Sequence, residues 1–214
     1  NAINHKKGIE YFYLKKNWKM AKYSKSKNII INNNKSYLLN HPKAKNKKFY
    51  VFEPARIRKT WLDYTKKFQN DLDKITNNNN KIIIYVLSTF EYVEDLNEKN
   101  STLNLLKQTL SILDKIPDVT IVIKPHFYTQ MEILKKELYS YDSKKFVISY
   151  IHPTLLSLNA DLWICNLYST TCCDAYYLNV PTIEFTDYND KIVLKSGYES
   201  LGNEVIDYFI DIKQ

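Results

Sequence analysis

The stretch that decides the fold runs from Asp161 to Phe185 and reads DLWICNLYSTTCCDAYYLNVPTIEF. An apolar run of strand length leads into a turn rich in hydroxyl groups, then a helical segment, then a second apolar run that begins after Pro181. This succession is typical of parallel α/β sheets, in which such a turn lies at the carboxyl edge of the sheet, where ligands bind. We therefore expect a ligand site at this turn.

The turn consists of Tyr168, Ser169, Thr170 and Thr171. Hydroxyl groups and free backbone N–H groups at a helix N-terminus favour phosphate or another anion. Asp174 falls one helical turn after Thr170, and its carboxylate could accept hydrogen bonds from the hydroxyls of a ribose. The alternative is that Ser169 caps the helix and Asp174 stabilises its first turn. The turn alone leaves both interpretations open.

Further polar residues follow the other predicted strands. They are Ser88 and Thr89 after the first strand, Lys124 and His126 after the second, His152 after the third, and Glu184 near the end of the fifth. Because the carboxyl ends of parallel strands meet at one edge of a sheet, we expect these residues to lie with the turn around a nucleotide cleft.

Three of these candidates have structural alternatives. His126 could donate a hydrogen bond to a phosphate oxygen beside the positive charge of Lys124, or it could satisfy the local backbone; we favour binding. For His152 we favour the structural role, since His-Pro before a helix is good turn chemistry, although it stays a candidate for binding. Glu184 either points to solvent from an edge position or contacts a ligand, and both remain open.

The region after Asn77–Asn80 alternates between strand and helix patterns. The predicted strands span 81–88, 120–123, 146–151, 161–165 and 182–185. One predicted helix begins behind a Ser101-Thr102 cap and contains Leu103, Leu106, Leu110 and Leu113. The other predicted helices span 131–138, 154–159, 170–178 and 203–212. Five strand–helix units with short connections predict a doubly wound, Rossmann-like parallel sheet over residues 77–214.

Residues 1–76 are too few for a second complete α/β domain. We interpret them as the tail of an upstream domain and a connector, so the chain is expected to be a fragment of a longer protein. The predicted elements are a helix over Ile9–Tyr23, strands over Asn28–Ile31 and Lys48–Phe52, and a helix over Ile57–Leu72.

The composition excludes several classes of function. The net charge is +8, but the basic residues are scattered lysines with two arginines, Arg56 and Arg58, so nucleic-acid binding is disfavoured and an anionic membrane surface is the alternative partner. No apolar run approaches the roughly 20 residues of a membrane span, and no secretory signal opens the chain, so we expect a cytoplasmic location.

Glycine and cysteine usage narrows the chemistry. With 3 glycines the chain has no dinucleotide-binding or P-loop fingerprint, which disfavours dehydrogenases, kinases and ATPases. Cys165, Cys172 and Cys173 lack metal-ligand spacing and are interpreted as reduced core residues.

Two runs resemble a known family. IVIKPH at residues 121–126 and NADLWICNLYSTTCCDAYYLNVPTIEF at 159–185 are similar to the carboxyl-terminal, donor-binding half of GT-B glycosyltransferases. The resemblance is closest to the bacterial capsule and surface-polysaccharide group, which includes CDP-glycerol glycerophosphotransferases and Kdo transferases. An earlier run, FYVFEPARIRKTW at 49–61, looks like the connector into that half.

The resemblance implies a donor site. The residues that match Ser169, Thr170 and His126 contact the nucleotide phosphates in relatives, with His126 as the catalytic candidate, and the residue that matches Asp174 holds the ribose. Where the family has glutamate this chain has Asp174, and where it has glycine this chain has Asn179, which is tolerable because asparagine adopts positive φ. Where the family has a proline after KPH, the chain has Phe127.

The leading hypothesis is therefore a sugar or polyol-phosphate transferase of surface-polysaccharide biosynthesis. It would take a nucleotide-activated donor and a glycan or lipid-linked acceptor, would need no metal or cofactor, and could lie at the inner face of the cell membrane. The alternatives are a non-hydrolysing UDP-sugar 2-epimerase and a non-catalytic nucleotide-binding or scaffold domain.

Overall fold

The computed structural model describes residues 27–31, 46–51, 55–76, 80–87, 96–166, 169–188 and 205–213. For residues 29–31, 51 and 96–102 it describes the backbone only. The predicted helix Ile9–Tyr23 lies outside the described residues.

The described elements alternate between strands and helices after a short amino-terminal portion. The strands are β1 Asn28–Ile31, β2 Lys48–Val51, β3 Lys81–Val86, β4 Val119–Lys124, β5 Phe146–Ile148, β6 Leu162–Cys165, β7 Thr182–Thr186 and β8 Tyr208–Asp211. The helices are α1 Lys59–Thr65, α2 Gln69–Asp73, α3 Leu96–Asp114, α4 Met131–Leu138, α5 Pro153–Asn159 and α6 Cys172–Tyr177.

The main sheet has six parallel strands in the order β5-β4-β3-β6-β7-β8. Counted from β3, this is the doubly wound order 3-2-1-4-5-6, in which the chain first builds outward on one side and then returns to build on the other. The prediction of a doubly wound, Rossmann-like parallel sheet is confirmed. Its switch point lies between β3 and β6.

Apolar side chains cover both faces of this sheet. In β3, Ile83 and Tyr85 point to one face while Ile84 and Val86 point to the other, as the alternation along a strand requires. The first face packs against α3 and α4 through Leu106, Leu110, Leu113 and Leu134. The second packs against α2, α5 and α6 through Leu72, Leu156, Cys172 and Ala175. A strand apolar on both faces is expected for a buried parallel strand.

The predicted helix 203–212 is wrong. Its carboxyl-terminal part is strand β8, which pairs with β7 and forms one edge of the sheet. Val205 and Ile206 are buried whereas Phe209 and Ile210 are each 39% exposed, so the four apolar residues do not share the single buried face of a helix. Short apolar runs fit either period, and aromatic and β-branched residues favour strands.

Several predicted boundaries also change. Helix α3 begins at Leu96, so Ser101-Thr102 does not cap it, and the third strand ends at Ile148 instead of residue 151. The predicted helix Ile57–Leu72 is broken into α1 and α2 by a 3₁₀ turn at Lys66–Phe68. The predicted strands over Asn28–Ile31 and Lys48–Phe52 are present as β1 and β2, which pair in parallel.

The connector packs directly against the main sheet. Leu72 of α2 is 1% exposed and belongs to the second core cluster. Gln69 and Asn159 join α2 to the end of α5 through two amide hydrogen bonds of 3.0 and 3.2 Å. The segment over residues 55–76 is therefore held against the helices that carry the candidate site.

Candidate ligand site at the carboxyl edge of the sheet

The strands that carry the candidate residues end at the same level. Val86 of β3 pairs with Lys124 of β4 on one side and with Cys165 of β6 on the other. The loops that contain His126 and Ser169 thus leave the sheet from one edge, on either side of the first strand. Ligands of doubly wound sheets bind at this edge, beside the switch point.

Asp174 is the centre of a polar cluster at this edge. It lies in α6 and is 2% exposed. Thr154 of α5 donates a hydrogen bond of 3.1 Å from Oγ1 to Asp174 Oδ1. Arg56 Nη1 lies 2.9 Å from Asp174 Oδ2, in an ion pair that lacks the alignment of a hydrogen bond.

The connector reaches the same carboxylate by a second route. Trp61 of α1 donates a hydrogen bond of 3.3 Å from its indole Nε1 to Thr154 Oγ1. Thr154 is fully buried, so it links Trp61 to Asp174 in a short chain of donors. The connector therefore supplies both an ionic and a hydrogen-bonded contact to Asp174.

Two more basic groups act on this cluster electrostatically. Burial lowers the pKa of Lys124, and the negative charge of Asp174 opposes that shift. Burial also lowers the pKa of His152, which Asp174 opposes and the positive charges of Arg56 and Lys124 reinforce. Arg56, Lys124 and His152 thus all act electrostatically on Asp174.

Two opposing effects act on the pKa of Asp174. Burial raises its pKa above the ordinary value, although Arg56, the bond from Thr154, His152 and Lys124 all lower it. The attraction of its neighbours therefore does not fully compensate for removing the carboxylate from water. Perturbed carboxylates of this kind are concentrated at functional sites.

The hydroxyl-rich turn forms before α6 begins. Helix α6 starts at Cys172, so Thr170 precedes the helix and the predicted span 170–178 is too long at its start. Ser169 Oγ lies 2.9 Å from Thr171 Oγ1 and accepts a bond of 3.4 Å from the backbone N–H of Thr171. The backbone N–H of Cys172 bonds to the Ser169 carbonyl oxygen at 2.9 Å.

Helix α6 ends just before Asn179, which stands where the GT-B sequences that this chain resembles have glycine. Asn179 has φ 59°, in the left-handed region that glycine would adopt there. The expectation that asparagine tolerates this position is confirmed.

His126 lies at the same edge and is exposed. Its Nδ1 accepts a bond of 3.3 Å from the backbone N–H of Tyr128, and its ring stacks on the ring of Tyr128 with the centroids 5.8 Å apart. These contacts are local, and they leave Nε2 as the ring nitrogen that a ligand could meet.

His152 caps α5, as its structural interpretation predicts. Its Nδ1 accepts a bond of 3.2 Å from the backbone N–H of Thr154, and its ring packs edge-on against Trp61 at 5.3 Å. The cap fixes the ring beside the Asp174 cluster, so a contact from Nε2 to a ligand stays a prediction.

The interpretation of Glu184 as a residue that points to solvent is wrong. Glu184 is fully buried, and β7 lies inside the sheet between β6 and β8. Tyr188 donates from its phenol to Glu184 Oε2 at 3.3 Å. Burial, and next the charge of Glu184, raise the pKa of Tyr188. A ligand contact by Glu184 stays a prediction.

A buried hydrogen-bond network supports the end of β6. Asn166 donates from Nδ2 to Thr109 Oγ1 and to the Phe185 carbonyl oxygen, each at 2.8 Å. Tyr85 donates from its phenol to Asn166 Oδ1. Asn166 thereby ties β3, α3 and β7 together directly before the hydroxyl-rich turn.

The chain is similar to solved structures but matches no known family. No protein-family model matches the chain, and no curated protein matches it. Among solved structures, the spinosyn rhamnosyltransferase SpnG complexed with spinosyn aglycone is similar at 17% identity and a TM-score of 0.38, over 52% of this chain and 27% of that one.

Two further structures are similar over more of the chain. The glycotransferase of kitacinnamycin has 12% identity and a TM-score of 0.41, over 83% of this chain and 41% of that one. The H444N variant of the wall teichoic acid polymerase TagF has 17% identity and a TM-score of 0.45, over 78% and 41%. The chain spans less than half the length of these structures, and similarity at this level does not establish its family or activity.

Sequence reasoning missed part of the site. Arg56 and Trp61 lie in the run at 49–61 that resembles the GT-B connector, but no motif in that run predicts a contact with Asp174. The rarity of arginine in this lysine-rich chain was the available signal for Arg56. Thr154 gave no signal. Ser88, Thr89 and Tyr168, predicted to bind the donor, lie outside the described residues.

Proposed function

We propose that this chain is the donor-binding domain of a transferase that uses a nucleotide-activated sugar or polyol phosphate. The observation that carries the proposal is the cluster of Arg56, Lys124 and His152 around the buried Asp174, at the carboxyl edge of a doubly wound sheet. With His152 neutral, the two cations and one carboxylate sum to a net charge of about +1, which favours an anionic ligand.

The proposed chemistry uses the cluster to bind the phosphate of the donor. When the bond between the sugar and the nucleotide breaks, negative charge develops on the departing phosphate oxygens. Lys124 and the Nε2 side of His126 would stabilise that charge, since positive charge and N–H donors aimed at the departing phosphate lower the barrier. Ser169 and Thr170 would add hydroxyl donors from the neighbouring turn.

The finer assignment rests on the sequence resemblance. A capsule or surface-polysaccharide transferase would pass the donor group to a glycan or lipid-linked acceptor. The charge of +8 is consistent with a peripheral position at an anionic membrane. Among the described helices, none has the length and apolar character needed to cross a membrane.

Calorimetry of the chain against UDP, CMP and CDP tests the proposal. We expect one of these nucleotides to bind, with an affinity that falls as salt is added, because phosphate contacts are electrostatic. Ser169→Ala and His126→Ala should each weaken that binding several-fold without unfolding the domain. The matched control is Ser143→Ala, since Ser143 is an exposed serine at the opposite edge of the sheet.

The outcomes separate the transferase from the scaffold and test whether Ser169 and His126 belong to the site. If none of the three nucleotides binds the unmodified chain, the scaffold interpretation replaces the transferase. If a nucleotide binds but both variants bind it as tightly as the unmodified chain, Ser169 and His126 do not belong to the site.

A further inference from the structure

Arg56 is positioned in an unusual way for a surface arginine. Its side chain is 41% exposed, yet its guanidinium lies 2.9 Å from a carboxylate that is 2% exposed. A guanidinium carries five N–H donors in a rigid fork. The contact to Asp174 involves Nη1 and lacks hydrogen-bond alignment, and among the described residues no hydrogen bond occupies the other N–H groups of the guanidinium, which can therefore meet another acceptor.

Both carboxylate oxygens of Asp174 face groups of the protein. Oδ1 accepts the bond from Thr154, and Oδ2 faces Arg56. Oδ2 has no hydrogen-bond donor among the described residues, but it is buried, so a ribose hydroxyl could reach it only if a covering group moved aside. The geometry therefore favours a partner that meets Arg56 over a partner that meets Asp174.

We propose that Asp174 is a positioning residue for Arg56, and that the guanidinium of Arg56, contributed by the connector, binds a phosphate group of the donor. This inference rests on the proposed function and departs from the ribose role that the resemblance implies for Asp174. It makes the connector part of the donor site.

The surroundings of Arg56 are consistent with an anion. The positive charges of Arg56 and Lys124 both help to lower the pKa of His152, so positive charge is concentrated near Asp174. Planar guanidinium groups match phosphate oxygens in pairs, which a lysine cannot do. The Trp61–Thr154 link holds the connector against α5, so the segment that carries Arg56 is in place before the ligand arrives.

The test compares probes with and without phosphate. Calorimetry would measure UDP, CDP, their nucleosides uridine and cytidine, and inorganic pyrophosphate. We expect Arg56→Gln to weaken binding of the nucleoside diphosphate and of pyrophosphate at least tenfold, while the affinity for the nucleoside changes less than twofold. Arg58→Gln is the matched control, because it removes the same charge from an exposed arginine two residues away.

Two further variants distinguish positioning from structure. Asp174→Asn should reproduce the loss of phosphate affinity but leave the ratio between ribonucleotide and 2′-deoxyribonucleotide affinity unchanged. Arg56→Lys should recover only part of the lost affinity, since it restores the charge without the fork. Thermal unfolding of each variant checks that the domain remains folded.

The outcomes distinguish failure of this inference from failure of the proposed function. If Arg56→Gln binds the diphosphate like the unmodified chain, or if Asp174→Asn abolishes discrimination against the 2′-deoxy form, the inference is overturned while the proposed function stands. If the unmodified chain binds pyrophosphate but no nucleotide, and Arg56→Gln removes that binding, the phosphate site stands and the transferase proposal fails. If the unmodified chain binds none of the probes, both fail.

Discussion

Two aspartates form ion pairs at opposite edges of the same sheet. At the amino edge, Asp161 accepts a bond of 2.8 Å from Lys81 Nζ and one of 2.9 Å from the backbone N–H of Ile82, and its side chain is 40% exposed. At the carboxyl edge, Asp174 is 2% exposed and faces Arg56. The first aspartate ties the start of β6 to β3, whereas the second ties the connector to α6.

The pKa values of the two carboxyl groups shift in opposite directions. Burial alone would raise the pKa of Asp161, but the bonds from Lys81 and Ile82 outweigh it and lower the pKa. Burial dominates at Asp174 and raises its pKa despite Arg56. Ionised Asp161 therefore stabilises the fold, while ionised Asp174 costs stability, and the second pattern is common at functional sites.

The largest expected effect concerns the buried network that supports the carboxyl edge. Asn166→Ala would remove the acceptor of the Tyr85 phenol and the donor to the Phe185 carbonyl and to Thr109, whose hydroxyl keeps its bond to the Leu105 carbonyl. We expect the free energy of unfolding to fall by about 3 kcal/mol, since each buried group left unsatisfied costs about 1–3 kcal/mol. Urea unfolding followed by circular dichroism measures it.

The amino edge supplies the control for this comparison. Asp161→Ala should lower the free energy of unfolding by at most about 1 kcal/mol, because exposed ion pairs contribute little. Equal losses in Asn166→Ala and Asp161→Ala would show that the two edges do not differ in the way the burial of their polar groups indicates.

The second prediction uses the opposite pKa shifts of the aspartates. The raised pKa of Asp174 means that its contribution to stability is present below about pH 3.8 and is lost as the pH rises through the folded-state pKa. The lowered pKa of Asp161 means the reverse: its contribution is present above about pH 3.8 and is lost as the pH falls through its folded-state pKa. We expect Asp174→Asn to equal or exceed the unmodified chain in stability at neutral pH, within about 1 kcal/mol.

Urea unfolding at several pH values between about 3 and 7 compares these two variants with the unmodified chain. As the pH rises, the stability difference between the unmodified chain and Asp174→Asn should move in favour of the variant, and the difference for Asp161→Asn should move against it. Nucleotide affinity should fall only in Asp174→Asn. A stability loss at neutral pH in Asp174→Asn that is larger than in Asp161→Asn would make Asp174 a structural residue.

The same contrast explains what the sequence could predict. The apolar runs of β3, β4 and β6 are buried on both faces, so the sequence alone predicts each of them as a strand, and their alternation with helices predicts a parallel sheet. The helix predicted over residues 203–212 was wrong because the side chains of an edge strand are only partly buried, so its apolar residues show no distinct period.

The site divides in the same way. Lys124 ends β4 and Ser169 follows β6, and local rules place such residues at the carboxyl edge of a parallel sheet. The pairing of Arg56 with Asp174 joins residues far apart in the chain, and it depends on how the connector packs against α5 and α6. No local pattern encodes that packing, so the partner of Asp174 was not predictable.

The smallest expected effect concerns His152, whose burial lowers its pKa at the carboxyl edge. A lowered pKa means that its contribution to stability is present above about pH 6.5 and is lost as the pH falls through the folded-state pKa. His152→Asn keeps a good N-cap and removes the titration, so it should differ from the unmodified chain in the pH dependence of unfolding between about pH 7.5 and 5 by less than about 0.5 kcal/mol.

The titration of His152 should have a larger effect on nucleotide affinity than on stability. A bound phosphate would raise the pKa of His152, so the affinity of the unmodified chain should increase as the pH falls across this range, and the affinity of His152→Asn should increase less. Calorimetry at both pH values measures the difference. An equal increase in the two proteins would place the phosphate out of electrostatic reach of His152, and would separate the α5 cap from the cluster around Asp174.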